Sequence, residues 1–168
     1  MMDIAIVENN VITNVIVVLD GSEPADYGGM PLPEEAWIGD YYIPLETLKA
    51  EKILQSKADL AAYLESHPIL WTDGLEYSIT AEKQAQLTST LVCAQADGQP
   101  PEWNSTGGVC REWDVQELTA LGVAIKDRVK ALVKYQQTQE VAMRNAVTQE
   151  ELETIVVDYD SVSEEASA

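Results

Sequence analysis

The chain has 168 residues, 46% of them hydrophobic, enough to bury a core in one or two small domains. Its 29 carboxylates against 10 Lys and Arg leave a net charge of −19, and the ends are the most acidic: residues 1–48 hold nine carboxylates and residues 150–168 hold seven, with no Lys or Arg in either stretch. Phosphate backbones and anionic headgroups are held by Lys and Arg that displace counterions, so this distribution argues against nucleic acid and membrane surfaces as partners.

The start, MMDIAIVENN, lacks the basic residues and long apolar run of a signal peptide, and no segment reaches the roughly 18 uninterrupted apolar residues of a membrane span. The expected location is therefore the cytosol. From Asp3 to Leu19 two arms rich in β-branched residues flank Asn9-Asn10, a pair that tolerates the positive φ of a two-residue hairpin turn. The next stretch, DGSEPADYGGMPLPEE, reads as a loop, and Trp37 within the region that follows is the one tryptophan expected to be exposed. Ala36–Ile38, Gly39-Asp40 and Tyr41–Ile43 then suggest a short apolar piece, a turn and a last strand. From Pro44 to His67 the pattern is helical, with Ile53, Leu60 and Leu64 in phase, and His67-Pro68 ends it.

A unit of hairpin followed by helix is then written twice. In the first copy Trp71 precedes Asp73-Gly74, a tight-turn pair, which is expected to bring Leu70, Leu75, Tyr77 and Ile79 near one apolar face, and Thr80 caps the helix behind it. In the second, Trp103 and Trp113 flank Thr106-Gly107-Gly108, and Asp114 with Glu117 forms a cap. Leu118, Leu121, Ile125, Val129 and Leu132 mark a long helix toward Asn145; written as heptads, its seam is broken early, at Arg128, and polar late, at Gln139, which disfavours a sustained coiled coil. Thr148 with Glu151 opens a short last helix, and DYDSVSEEASA reads as a disordered acidic tail.

Catalytic chemistry has little to stand on. The single histidine, His67, sits at a helix end; Cys93 and Cys110 are read as buried free thiols, with neither zinc-ligand nor disulfide spacing. No Walker, Rossmann or H-E-x-x-H pattern occurs, and Asp158 with Asp160 lacks the rest of a calcium loop. No metal and no cofactor are expected.

The run of D-G-L-E-Y (73–77), W-N-S-T-G-G (103–108), K-x-x-V-x-A-L (126–132) and N-A-V-T-Q-E-E-L (145–152) resembles a helical domain of uncharacterised function found in bacteriophage and prophage tail-region proteins. The front, I-V-E-N-N-V-I-T-N-V-I-V (6–17) with P-L-P-E-E-A-W-I-G-D-Y-Y (31–42), is similar to the small XkdW-type module that precedes it. The resemblance implies a non-enzymatic tail or tail-fibre structural or assembly protein, with a tail or tail-fibre protein, or a second copy of itself, as partner. Its setting would be the host cytoplasm during assembly, or the virion tail. It transfers no functional residues. The alternatives are an acidic DNA-mimic inhibitor and a receptor- or carbohydrate-binding tail component.

The expected fold is α+β: a small β module at 1–43, a connecting helix at 44–67, a hairpin–helix and hairpin–long-helix domain at 68–157, and the tail at 158–168. The half of the long helix beyond Val133 has little obvious cover other than the helix at 45–66 and the short final one. Val141, Met143 and Trp37 are accordingly the candidate protein-contact residues.

Overall fold

The computed structural model describes residues 1–33 and 35–162. They form an α+β structure of two compact units, Met1–Leu48 and the chain from Lys49 onward.

In the first unit, β1 (Met2–Glu8) and β2 (Val11–Val18) make the expected antiparallel hairpin. Its turn residues Asn9 and Asn10 take φ of 52° and 63°, the left-handed pair that a primed turn needs. Ile6 faces Asn14 but Val7 faces Ile12, so Thr13 is an extra residue, a bulge whose hydroxyl donates to the Ile6 carbonyl at 3.2 Å. Side chains alternate faces along a strand, so this insertion moves Ile12 off the face that holds Ile16. Ile4 and Val18 are thus buried on one side of the hairpin, Ala5 and Ile12 on the other.

The third strand is β3 (Met30–Pro31), paired with β1 in the order β2-β1-β3, inside the stretch expected to be loop. Gly29 makes the approach feasible, because a Cβ there would lie 2.4 Å from Ile4 Cγ2 and 2.7 Å from the Ala5 carbonyl. The expected strand at 41–43 is reduced to one bridge, Tyr41 opposite Val11 on the outer edge of β2.

The second unit is built on α3 (Val115–Asn145), 31 residues and about 46 Å long at ~1.5 Å per residue. The helix α1 (Leu45–Ser66) runs antiparallel to it: Lys49 Nζ donates to the Arg144 carbonyl at 3.2 Å, Gln136 Nε2 to Ser56 Oγ at 3.3 Å, and Arg128 Nη2 to Tyr63 Oη at 3.2 Å. From Lys49 onward α1 is therefore part of the second unit and not a connector. Leu60, Tyr63 and Leu64 pack on a core that includes Leu118, Leu121, Ile125 and Leu132.

The doubled hairpins face each other. β4 (Ile69–Leu70) pairs with β5 (Glu76–Tyr77), and β6 (Glu102–Trp103) with β7 (Arg111–Glu112). The Tyr77 ring meets Trp113 edge-on at 5.6 Å, the Thr106 N–H donates to the Glu76 carbonyl at 2.8 Å, and Arg111 reaches Asp73 Oδ2 at 2.8 Å while its guanidinium lies 4.1 Å above the Trp113 ring. Burial alone would raise the Asp73 pKa, but hydrogen bonds from the Leu75 N–H and the Tyr77 hydroxyl, together with Arg111, outweigh it and hold the carboxyl below its usual range. Each copy of the unit thus covers the apolar side of the other. Leu70 and Leu75 are exceptions to the expected apolar face, at 71% and 45% exposure. Register explains Leu70: Ile69 pairs with Tyr77 on the inner face, which turns Leu70 and its partner Glu76 outward.

The helix α2 (Ala81–Asp97) starts where Thr80 Oγ1 accepts from the Lys83 N–H, and α3 starts where Asp114 accepts from Gln116 and Glu117. Thr148 does the same for α4 (Gln149–Thr154). Each such cap contributes about 1 kcal/mol. Beyond α4 the chain stays on the fold through Val162, so the first part, 158–162, of the stretch read as a disordered tail at 158–168 is ordered. Tyr159 is 6% exposed, its hydroxyl donates to the Ser56 carbonyl at 2.7 Å, and Arg128 Nη1 donates to the Val162 carbonyl at 2.7 Å. Burial, with the negative charge of Asp59, pushes the Tyr159 phenol up to about 12, and it is a donor at any physiological pH. The rest of the expected tail, 163–168, lies outside the described residues.

Candidate protein-contact site

The site with the clearest surface signature is on the first unit, where residues 39–42 run along the outer edge of β2. The Ile12 N–H donates to the Asp40 carbonyl at 2.9 Å, the Gly39 N–H to the Ile12 carbonyl at 2.7 Å, and the Tyr42 N–H to the Asn10 carbonyl at 2.7 Å. A turn precedes this edge and is closed twice: the Trp37 N–H donates to Asp40 Oδ2 at 2.7 Å, and the Asp40 N–H to the Trp37 carbonyl at 3.1 Å. Gly39, at φ 99°, supplies the backbone conformation that a side chain would resist.

This construction holds three large side chains out of the fold. Trp37 is 75% exposed, Ile38 59% and Tyr41 68%, with the Tyr41 hydroxyl accepting from Asn10 Nδ2 at 3.3 Å. An indole offers about 200 Å² to burial, so leaving three-quarters of Trp37 wet forgoes roughly 3–4 kcal/mol at ~25 cal/mol per Å². One exposed apolar side chain is ordinary, but three within residues 37–41 are a concentration that singles out this turn. Glu35 and Asp40 flank Trp37 and are exposed, and no Lys or Arg occurs anywhere in 1–48.

The other two contact candidates separate. Val141 is 57% exposed and borders a shallow hollow of about 290 Å³ with Lys134, Gln137 and Thr138. Met143 is fully buried at 0% and is corrected from contact residue to core residue. Two positions on a helix are about 200° apart, so Val141 and Met143 point to opposite sides. Met143 lies in phase with Leu132 and Gln136, the side on which Gln136 meets α1.

Of the four tryptophans, Trp103 and Trp113 are buried and Trp71 packs against the same core, leaving Trp37 as the exposed one. Cys93 and Cys110 are free, as expected, but exposed and not buried. Cys93 borders an open groove of about 610 Å³ between α2 and the segment before β6, where Asp97 and Glu102 also lie. His67 ends α1: its N–H donates to the Tyr63 carbonyl at 3.0 Å and its ring stacks on Tyr63 at 3.9 Å. Among the described residues no group of three or more His, Cys, Asp or Glu could hold a metal ion, and no helix is long and apolar enough to cross a membrane.

Residues 47–161 match the family model described as "Domain of unknown function (DUF4376)". The chain belongs to this family. No curated protein and no solved structure matches it. The DUF4376 region begins within α1 and ends at Ser161, the last residue of the turn that buries Tyr159. It therefore takes in α1 and the Tyr159 segment together with the doubled hairpins, which are the parts that share one core. Val141 and Met143 fall inside the DUF4376 region, whereas the Trp37 turn falls outside it.

Proposed function

We propose that this chain is a non-enzymatic assembly protein that works through protein–protein contacts, in the tail or tail-fibre region of a bacteriophage. The observation that carries the contact reading is the Trp37–Tyr41 turn, a rigidly closed loop whose three largest side chains are left to solvent. Hot spots of protein interfaces are enriched in Trp and Tyr, and they sit where a partner can exclude water around them. The setting is supported by the resemblance of residues 6–17, 31–42, 73–77, 103–108, 126–132 and 145–152 to tail-region proteins. In this reading the DUF4376 region is a self-sufficient core, and the first unit carries the recognition surface.

Co-expression with the tail and tail-fibre proteins encoded beside this chain, followed by size-exclusion chromatography, tests the proposal. A complex is expected, and Trp37→Ala is expected to weaken it while leaving the melting temperature of the free chain within about 2 °C. A complex untouched by Trp37→Ala would remove the turn from the contact, and co-elution with none of these proteins would remove the tail setting.

A further inference from the structure

We infer that the Trp37–Tyr41 turn docks a cationic segment of the partner, one that presents Arg or Lys to the indole and apolar side chains to Ile38 and Tyr41. This deepens the contact reading above and rests on it.

Three observations select a cation. The first is what the chain does with two of its three other indoles: Lys83 Nζ lies 5.1 Å over the Trp103 ring and the Arg111 guanidinium 4.1 Å over Trp113. Trp37 presents a larger free face than either, yet its own unit has no Lys or Arg to place there. A cation on this indole would come from a partner. The second is the local charge. Glu35 and Asp40 flank the indole in sequence and are exposed, and Asp3, Glu8 and Asp26 are exposed on the same unit, where Asp20 is paired with the N-terminal ammonium of Met1 at 2.6 Å. A cation held against an indole face on an acidic unit gains from the ring quadrupole and from the net field together. The third is the alternative occupant, a second copy of this chain. An isologous contact through the turn would set one unit of nine carboxylates and no Lys or Arg against another, a like-charge juxtaposition that disfavours association. A neutral apolar partner would leave the flanking carboxylates without a counter-charge, and it would not gain from the field around them.

The test uses the full chain and short fluorescent peptides of repeated Gly-Arg-Leu, with Gly-Lys-Leu, Gly-Gln-Leu and Gly-Glu-Leu counterparts, read by fluorescence anisotropy at low and high salt. The Arg and Lys peptides are expected to bind, with Arg the tighter, and added salt is expected to weaken both. Trp37→Ala is expected to cost the Arg peptide about tenfold in affinity and Trp37→Phe clearly less, since a phenyl ring keeps part of the cation–π attraction. Glu35→Gln is expected to lower both the affinity and its salt dependence. In the free protein, the ratio of caesium to iodide quenching of exposed tryptophan should exceed that of a free neutral indole, because the field around Trp37 gathers cations.

Equal binding of the Gln and Arg peptides through Trp37 would overturn the cationic partner and leave the contact site standing. Arg-peptide binding unchanged by Trp37→Ala would show general attraction to an acidic chain and overturn the assignment to this turn. Dimerisation lost in Trp37→Ala, with no competition by the Arg peptide, would overturn it in favour of a second copy.

Discussion

Replacing Met143 with Ala tests whether the far half of α3 is core. The side chain is fully buried, at 0% exposure, on the side of α3 that receives α1. Truncation there removes its apolar contacts and leaves a void that antiparallel helices close only in part, a loss of about 2–5 kcal/mol. The second unit, Lys49–Ala168, has roughly 120 residues, and ~2 cal/mol/K of unfolding entropy per residue makes its midpoint fall by about 4 °C for each kcal/mol. The expected drop is therefore about 8–20 °C. Val141→Ala, two residues away but 57% exposed, should stay within about 2 °C. Thermal melts followed by circular dichroism in the helical band report this unit, since nearly all the α-helix lies in it. Equal shifts for the two variants, or a shift under about 2 °C for Met143→Ala, would refute the packing argument. The contrast also defines how Val141 can be assayed as a contact residue. Val141→Glu adds a charge at a wet surface and isolates association, whereas Met143→Glu would bury a carboxylate and unfold the unit before association could be read.

The remaining predictions concern the limits of the fold and its acid response. A fragment of residues 45–162 should melt cooperatively, whereas 68–157 should bind a hydrophobic dye and lose its cooperative transition, because it lacks Leu60, Tyr63 and Leu64 and the Tyr159 that packs with them; a sharp melt of the shorter fragment would contradict this. Glu140 is held down to about 2, from an ordinary 4.5, by hydrogen bonds from Arg144, Lys57 and Gln136. A depressed carboxylate stabilises above its unfolded pKa and loses that contribution as the pH falls through the folded one. The wild-type midpoint should thus fall more steeply than that of Glu140→Gln between about pH 4.5 and pH 2, and parallel curves would show that the Lys57–Glu140–Arg144 cluster adds nothing.

The strongest local signals were readable from the residues alone. The Asn9-Asn10 turn, the Thr80, Asp114 and Thr148 caps, the His67-Pro68 stop and the buried Trp103 and Trp113 each depend on a few neighbouring residues, and each stands where the sequence places it. Long-range pairing was less legible. Met30–Pro31 lies in a Gly- and Pro-rich stretch that says loop, and only Gly29, whose bare Cα lets the chain lie against Ile4, permits the strand. Residue type places the two cysteines inward, but Cys93 and Cys110 are both exposed, and thiols are small enough to be tolerated on either side of a helix or hairpin.

Met143 is buried where a heptad count leaves it exposed, for a more specific reason. Heptads counted from Leu118 reach Gln139 and Ala142 by the end of α3, and they make the seam look polar and unpartnered. The buried residues instead keep the true helical period: Leu118 and Gln136, like Ile125 and Met143, are separated by five turns of 3.6 residues. Gln136 obscured this because a glutamine ends an apolar stripe on paper. In the structure it is 4% exposed, with its amide donating to Ser56 Oγ and to Glu140 Oε2, both at 3.3 Å. A paired polar group of this kind costs little to bury and fixes which turn of α1 lies beside which turn of α3. The acidic C-terminal stretch misleads in the same way. Averaged composition makes DYDSVSEEASA look unable to fold, yet a single Tyr159, ringed by Tyr63 and Tyr135 and bonded to the Ser56 carbonyl, fastens its first residues to the same two helices. Ser56 therefore serves two partners at once, Gln136 through its hydroxyl and Tyr159 through its carbonyl, so the register of α1 on α3 and the docking of the C-terminal segment are set at one turn of helix.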